Sequence, residues 1–161
     1  MTPFTDTLCL ECGLCCNGVL FADIRREPGD PSPLFAQHGP RVAQPCPAFN
    51  AADGRCAFYA GRPARCRKFE CQQLLAVCAG KKTTEAAQRR VRAARKLAME
   101  VGKLLAELGF NDVRLSLSRR FRRCQRAAEN GGLERAQLDC LADLQVAVHK
   151  LNILLAGEFH V

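Results

Sequence analysis

This 161-residue chain has no Gly-rich phosphate loop and no Walker pattern, so no segment is built to cradle the phosphates of a nucleotide. Its three histidines, His38, His149 and His160, stand alone, and no Ser/His/Asp or Cys/His spacing recommends nucleophilic catalysis. His38 reads as a surface loop residue and His149 as the rim of a helix. The opening stretch, Met1-Thr-Pro-Phe-Thr-Asp6, lacks the basic and apolar regions of a secretory signal. No run approaches the roughly 20 apolar residues of a membrane span. These absences predict a cytoplasmic protein with no membrane partner. There is no fixed-period repeat and no low-complexity segment.

What the chain does have is cysteine. It carries eleven, nine of them in the first 78 residues. In a reducing compartment stable disulfides are rare, and clustered cysteines more often bind metal or act in redox chemistry. The odd count also argues against a fully paired framework. The densest run is Cys9-Leu-Glu-Cys12-Gly-Leu-Cys15-Cys16. Thiolates at i, i+3 and i+6 converge if the backbone wraps around one point, and bacterial ferredoxin-type runs use that spacing before a Cys-Pro. Here the Cys-Pro is Cys46-Pro47, far downstream, so the match is partial. Zinc sites built from thiolate pairs fit the same supply. The doublet Cys15-Cys16 suggests either a second site or one ligand beside a core thiol. Cys78, Cys124 and Cys140, isolated on helical faces, read as small buried hydrophobes.

The halves of the chain differ. Residues 1–80 are rich in Pro, Gly and Cys, and a segment of that size usually needs a metal or disulfides to hold its fold. Residues 1–8 read as an arm, and the Cys9–Cys16 run as too dense in Cys and Gly for an ordinary helix. Val19–Ile24 reads as a short strand and Glu27–Pro33 as loop, with irregular chain from His38 to Pro47. Two extended pieces, Ala48–Asn50 and Arg55–Tyr59, meet across Asp53-Gly54 as a hairpin. Gly61-Arg62-Pro63 then starts a turn carrying Cys66 and Cys71.

From Thr83 or Thr84 the period becomes helical. Ala87, Val91, Ala94, Ala98, Val101, Leu105 and Leu108 form one apolar stripe, closed by Gly109. Asn111 or Asp112 is placed to cap a second helix with Val113, Leu117, Phe121, Cys124 and Ala128 on one face, a strand being the rival reading. After Gly131-Gly132 a last stripe runs through Leu133, Leu141, Leu144, Val148, Leu151 and Leu155, with the helix ending at Gly157 and a frayed tail over Glu158–Val161. The predicted fold is a small α+β protein: an irregular, metal-stabilised cysteine module with short strands over 1–80, then an antiparallel helical segment over 81–161.

The motifs together resemble those of the YkgJ-type cysteine-cluster proteins, zinc- or iron-chelating domains. The likeness rests on Cys9-x2-Cys12-x2-Cys15-Cys16, Pro45-Cys46-Pro47, Gly54-Arg55-Cys56-Ala-Phe-Tyr59, Arg62-Pro63 and Cys66-Arg67-Lys-Phe69-Glu-Cys71, and covers roughly residues 5–75. It implies that Cys9, Cys12, Cys15, Cys16, Cys46, Cys56, Cys66 and Cys71 form the metal site. The family also contains much longer methylases of flagellin lysines whose motif holds an iron–sulfur cluster, an activity not carried over to this shorter chain. Either Zn2+ or an iron–sulfur cluster, such as 4Fe–4S, suits the set. Arg55, Arg62, Arg65, Arg67 and Lys68, interleaved with the thiols, are placed as donors to sulfur.

Two functional classes follow. One is a structural or storage metal site. The other is an iron–sulfur redox or protein-modification enzyme, or its accessory subunit. The net charge of +8 adds a third consideration, because residues 81–126 hold 14 basic and 4 acidic side chains. Lys81, Lys82, Arg89, Arg90, Arg92, Arg95 and Lys96, with Arg119, Arg120, Arg122, Arg123 and Arg126, could attract nucleic acid or an acidic protein partner. The plainer reading is a solvated helix face partly neutralised by Glu134, Asp139, Asp143 and Glu158. Only Phe110 and Phe121 lie in that stretch as aromatics, leaving little to stack on bases.

Overall fold

The computed structural model describes residues 3–160, with side-chain surroundings given from Leu8 onward. Helix α1 covers Pro3–Cys12, so residues 3–8 of the expected arm are helical, its first two residues lying outside those described, and the helix takes in the first two cysteines of the dense run. The anchor is apolar: Leu8 is buried, and Leu14 is fully buried just beyond the helix end.

Two antiparallel pairs follow. Strand β1, Asp23–Arg25, pairs with β2, Arg41–Ala43, in the register Ile24↔Val42, and both of those side chains are buried. The Val19–Ile24 strand therefore begins later than its apolar residues suggest. Between these strands lies a short helix, α2, Pro33–His38, opened by Pro33 at its first turn. It stands where loop and irregular chain were expected, because Leu34 and Phe35 enter a small core with Ile24 and Val42. The second pair is the expected hairpin, β3 Phe49–Asn50 with β4 Arg55–Cys56, turning through Gly54 at φ +71°. Short helices α3, Ala64–Lys68, and α4, Gln72–Cys78, complete the cysteine-rich region.

Helix α5, Thr84–Glu107, is capped by the Thr83 hydroxyl, which accepts from the Ala86 amide at 3.2 Å. All seven residues of its predicted stripe are buried. Helix α6, Leu117–Glu129, starts later than expected because Ser116, fully buried, is the cap. Asp112 instead closes a local turn onto the Arg114 amide, and Val113 is 72% exposed rather than part of the stripe. A single 3-10 turn at Arg135–Gln137 leads into α7, Leu138–Glu158. The helix does not stop at Gly157, and its end is not frayed: Phe159 is completely buried.

Helix α5 is the spine, packing on α7, α1 and α6. Leu8 and Leu14 share the core formed by Val91, Leu105, Leu144 and Phe159. The first turn of the cysteine region is thus pinned to the helical body. By length and composition alone, Arg135–Glu158 is apolar enough to cross a membrane, with mean hydropathy 1.2, although no such run was expected. Its buried residues, Leu144, Ala147, Leu151 and Leu155, belong to the core shared with α5.

Candidate metal centre

The local backbone explains why the dense cysteine run has its shape. Cys9 and Cys12 lie one turn apart on the last turns of α1 and so share a helix face. Gly13, at φ +63°, ends the helix, and its amide donates to the Cys9 carbonyl at 3.1 Å. The chain then turns sharply, with the Cys16 and Asn17 amides both donating to the Gly13 carbonyl. A Cβ at position 13 would stand 2.8 Å from the Phe49 ring, so glycine serves both the turn and the close approach of the β3 aromatic.

The downstream cysteines are brought back to this turn by main-chain bonds. The Cys46 amide donates to the Cys16 carbonyl at 2.7 Å, and the Phe49 amide donates to the Cys46 carbonyl at 3.0 Å. Phe49 faces Cys56 across the β3–β4 pair. Cys66 rides on α3, whose first amide, that of Ala64, donates to Asp30 Oδ2 at 2.7 Å. Asp30, 3% exposed, also accepts from the Ser32 amide at 3.1 Å, so one buried carboxylate locks a loop to the helix bearing Cys66. Cys71 is the residue that precedes α4, its thiol making no capping bond to the helix.

All eight of these cysteines line a single cavity of about 450 Å3. Cys78, Cys124 and Cys140 do not. Cys124 is a fully buried core thiol, as expected, but Cys78 is exposed at the end of α4 and not a core residue. His38 is exposed on the last turn of α2 and lies outside the cavity lining. Among the described residues, no three Cys, His, Asp or Glu side chains are yet drawn onto one point as ligands of an ion are. The thiols share walls rather than a finished coordination shell.

The rest of the lining is largely apolar, including Leu14, Phe21, Phe49, Phe58 and Phe69. That environment disfavours charge. Burial pushes the thiols of Cys12 and Cys16 up to about 12 and that of Cys66 up to about 11. Burial raises Cys15 and Cys46 as well. Opposing this, the Arg95 guanidinium favours the thiolate at Cys12, and Arg62 does so at Cys66. Arg95 comes from α5 and donates to the Glu11 carbonyl at 2.7 Å; its sequence distance from the cysteines hid it. Arg55, Arg62, Arg65 and Arg67 line the cavity, but Lys68 is occupied by Glu27 at 2.6 Å.

The donor chemistry fits a soft or borderline metal. Sulfur lines the cavity eight times, and among the described residues the one carboxylate in the wall is Glu70. Thiolates select zinc, copper(I) and iron–sulfur clusters, whereas magnesium and calcium require oxygen. The basic helices offer less than their composition promised. Arg120 is buried and donates to the carbonyls of Phe110 and Gly102 at 2.8 and 3.2 Å, Arg119 pairs with Asp23 at 3.1 Å, and Lys82 and Arg90 pair with Glu158.

A family model described as "CxxCxxCC: Putative zinc- or iron-chelating domain" matches residues 8–90, just over half of the chain. No curated protein and no solved structure matches.

Proposed function

We propose, from the premise that this chain belongs to the CxxCxxCC family of zinc- or iron-chelating domains, that it is a metal-binding protein whose ligands are Cys9, Cys12, Cys15, Cys16, Cys46, Cys56, Cys66 and Cys71. The observation that carries this reading is the common cavity lined by those eight thiols, drawn from α1, the following turn, the stretch before β3, strand β4, α3 and the residue before α4. These thiols would hold the group as thiolates, so each ligating cysteine would have to give up its proton on binding.

The bound group is zinc or an iron–sulfur cluster, held in a reducing compartment. The protein's part is to shield it. Phe49 and Leu14 exclude water, while Arg62 and Arg95 offset the charge of the thiolates. Metal analysis with a visible spectrum on anaerobically purified full-length protein tests the proposal. Stoichiometric zinc in a colourless protein identifies the first group; iron with sulfide and a broad visible band identifies the second. Protein that carries neither and takes up neither on reconstitution overturns the reading.

A further inference from the structure

We infer that the eight thiols form two separate four-thiolate centres: Cys9, Cys12, Cys15 and Cys71 in one, Cys16, Cys46, Cys56 and Cys66 in the other. This rests on the metal-binding reading above and divides its ligand set.

Coordination arithmetic comes first. A structural zinc ion takes four protein ligands, and a cubane iron–sulfur cluster takes four cysteines, so eight thiols exceed what either needs. The doublet comes second. Adjacent residues in a turn send their side chains in different directions, which makes Cys15 and Cys16 poor partners at one ion. Two centres use both without strain.

Packing then divides six of the eight, all but Cys9 and Cys15. Cys12 and Cys71 pack against the helical core of α5 and α7. Cys46 is buried in the other core, that of Ile24, Leu34, Phe35 and Val42, and Cys16, Cys56 and Cys66 pack against that one. The backbone agrees. The Cys46 amide donates to the Cys16 carbonyl, the Phe49 amide donates to the Cys46 carbonyl, and Phe49 faces Cys56 across the hairpin. Cys9 shares its helix face with Cys12, and α1 packs against α4, which Cys71 precedes.

The charge neighbourhoods follow a similar division. Cys66 is acted on by Cys46 and Cys56, and Cys16 by Cys46, Cys66 and Cys56 before Cys12. Cys12 is acted on by Cys71 and Cys9. Cys15 responds first to Cys12, then to its chain neighbour Cys16, and after these to Cys71 and Cys9, so the centres adjoin at the doublet. Each group has its own guanidinium, Arg95 at Cys12 and Arg62 at Cys66. The two centres would do different jobs: one fastens α1 to the helical body, and the other closes the hairpin region on itself.

The test counts metal in the full chain after anaerobic purification, for wild type and two paired variants. One pair is Cys12→Ser with Cys71→Ser; the other is Cys56→Ser with Cys66→Ser. Each pair is expected to keep half of the wild-type metal per chain, whichever metal that is, and the four-fold combination almost none. Cys78→Ser, outside the cavity, keeps it all. Loss of all metal in either pair, with the helical circular-dichroism signal intact, means one shared centre and overturns the division. Titration of metal-free wild-type protein with Co2+ guards against misfolded variants. The thiolate charge-transfer band is expected to saturate at two equivalents, and saturation at one overturns the division while leaving metal binding in place. No metal and no cobalt–thiolate band at all overturns both readings.

Discussion

The backbone amide of Cys46 is bonded to the carbonyl of Cys16 at 2.7 Å, closing the long segment between them onto the turn that carries the cysteine doublet. The segment it closes is lightly built. Its strands are three residues long, and its buried apolar core of Ile24, Leu34, Phe35, Val42, Cys46 and Ala48 is small. Structural zinc contributes about 10–16 kcal/mol to the folding of small thiolate modules, comparable to the whole stability of an ordinary domain. Chelation is therefore expected to collapse amide dispersion for β1 through α3. Helices α5 to α7, with their own core, retain their far-UV signal. Two-dimensional NMR of the chelated protein checks this, and β-strand amides that stay dispersed contradict it.

The raised thiols give metal uptake a pH dependence. In the folded arrangement burial penalises the charged forms and pushes the thiols of Cys12 and Cys16 up to about 12 and that of Cys66 up to about 11. At neutral pH they are protonated, so binding metal releases protons and tightens as pH rises. Stability of the metal-free chain runs the other way. Unfolded thiols ionise near 9.0 while these stay protonated until 11 or 12, so the folded state binds more protons within that window. Their contribution is fully present below about pH 9 and is lost as pH rises through the folded values. In metal-free protein Cys12, packed on the helical core that outlasts β1 through α3, carries this dependence, so thermal unfolding of the reduced protein should show Tm falling above pH 9 and no dependence from Cys12 below it.

Gly54 separates steric contact from backbone strain. Both Gly54 and Gly29 have positive φ, +71° and +75°. A Cβ on Gly54 would fall 2.2 Å from the Leu10 carbonyl oxygen of α1, whereas one on Gly29 meets open space. Gly29→Ala carries only the left-handed penalty, about 1–2 kcal/mol. Gly54→Ala must also push the hairpin off the helix that bears Cys9 and Cys12. It is expected to lower Tm further than Gly29→Ala and to weaken metal retention, which Gly29→Ala leaves unchanged. Equal effects in the two variants would mean that the hairpin does not rest on α1.

Legibility followed the range of the interaction. The α5 stripe, Thr83, Gly109 and the Asp53-Gly54 hairpin were readable because period, cap and turn are local signals. The eight cysteines that line the cavity are those that the resemblance to the cysteine-cluster proteins implied. Hidden from the sequence were partners brought from far along the chain. Arg95 reaches Glu11, Asp30 fixes the start of α3, and Leu8 and Leu14 turn an apparent arm into an anchored helix. Helix α2 was missed because Pro33 signals loop and helix start alike, and burial of Leu34 and Phe35 decides between them. Cys78 was misplaced because its helix ends at that residue, leaving the thiol exposed.

Gln73 ties the cysteine-rich region to the far end of the chain. Its side chain is 1% exposed, and its amide nitrogen donates to both the carbonyl and Oε2 of Glu158 at 2.7 Å. Lys82 donates to Gln73 Oε1 at 2.9 Å and to Glu158 Oε2 at 3.1 Å. Burial opposes ionisation of Glu158, but bonds from Lys82 and Gln73 outweigh it and hold the carboxyl below its ordinary value. Its contribution is therefore present above the unfolded value near 4.5 and is lost as pH falls through the folded one. Gln73→Leu leaves Lys82 and Glu158 without their shared partner and should cost about 1–3 kcal/mol. Hydrogen exchange in α4 and the last turn of α7 should rise together. A rise confined to α4 would show that the two ends are not coupled.

The basic stretch calls for variants chosen by burial, because its arginines do different things. Arg120 is 7% exposed, and its guanidinium satisfies the carbonyls of Phe110 and Gly102, joining α6 to the end of α5. Removing it takes this donor away from two half-buried carbonyls, at about 1–3 kcal/mol, a fall in Tm of roughly 2–12 °C for a chain of this size. Arg122 and Arg123, on the same helix, are exposed. Arg122→Glu with Arg123→Glu should leave Tm nearly unchanged, whereas Arg120→Met should lower it. A nucleic-acid or acidic-partner interaction through this face would be weakened by the exposed pair alone. Binding lost only on replacing Arg120 would reflect loosened helices instead. Identical Tm values for Arg120→Met and wild type would show that the two carbonyl contacts carry no net stability.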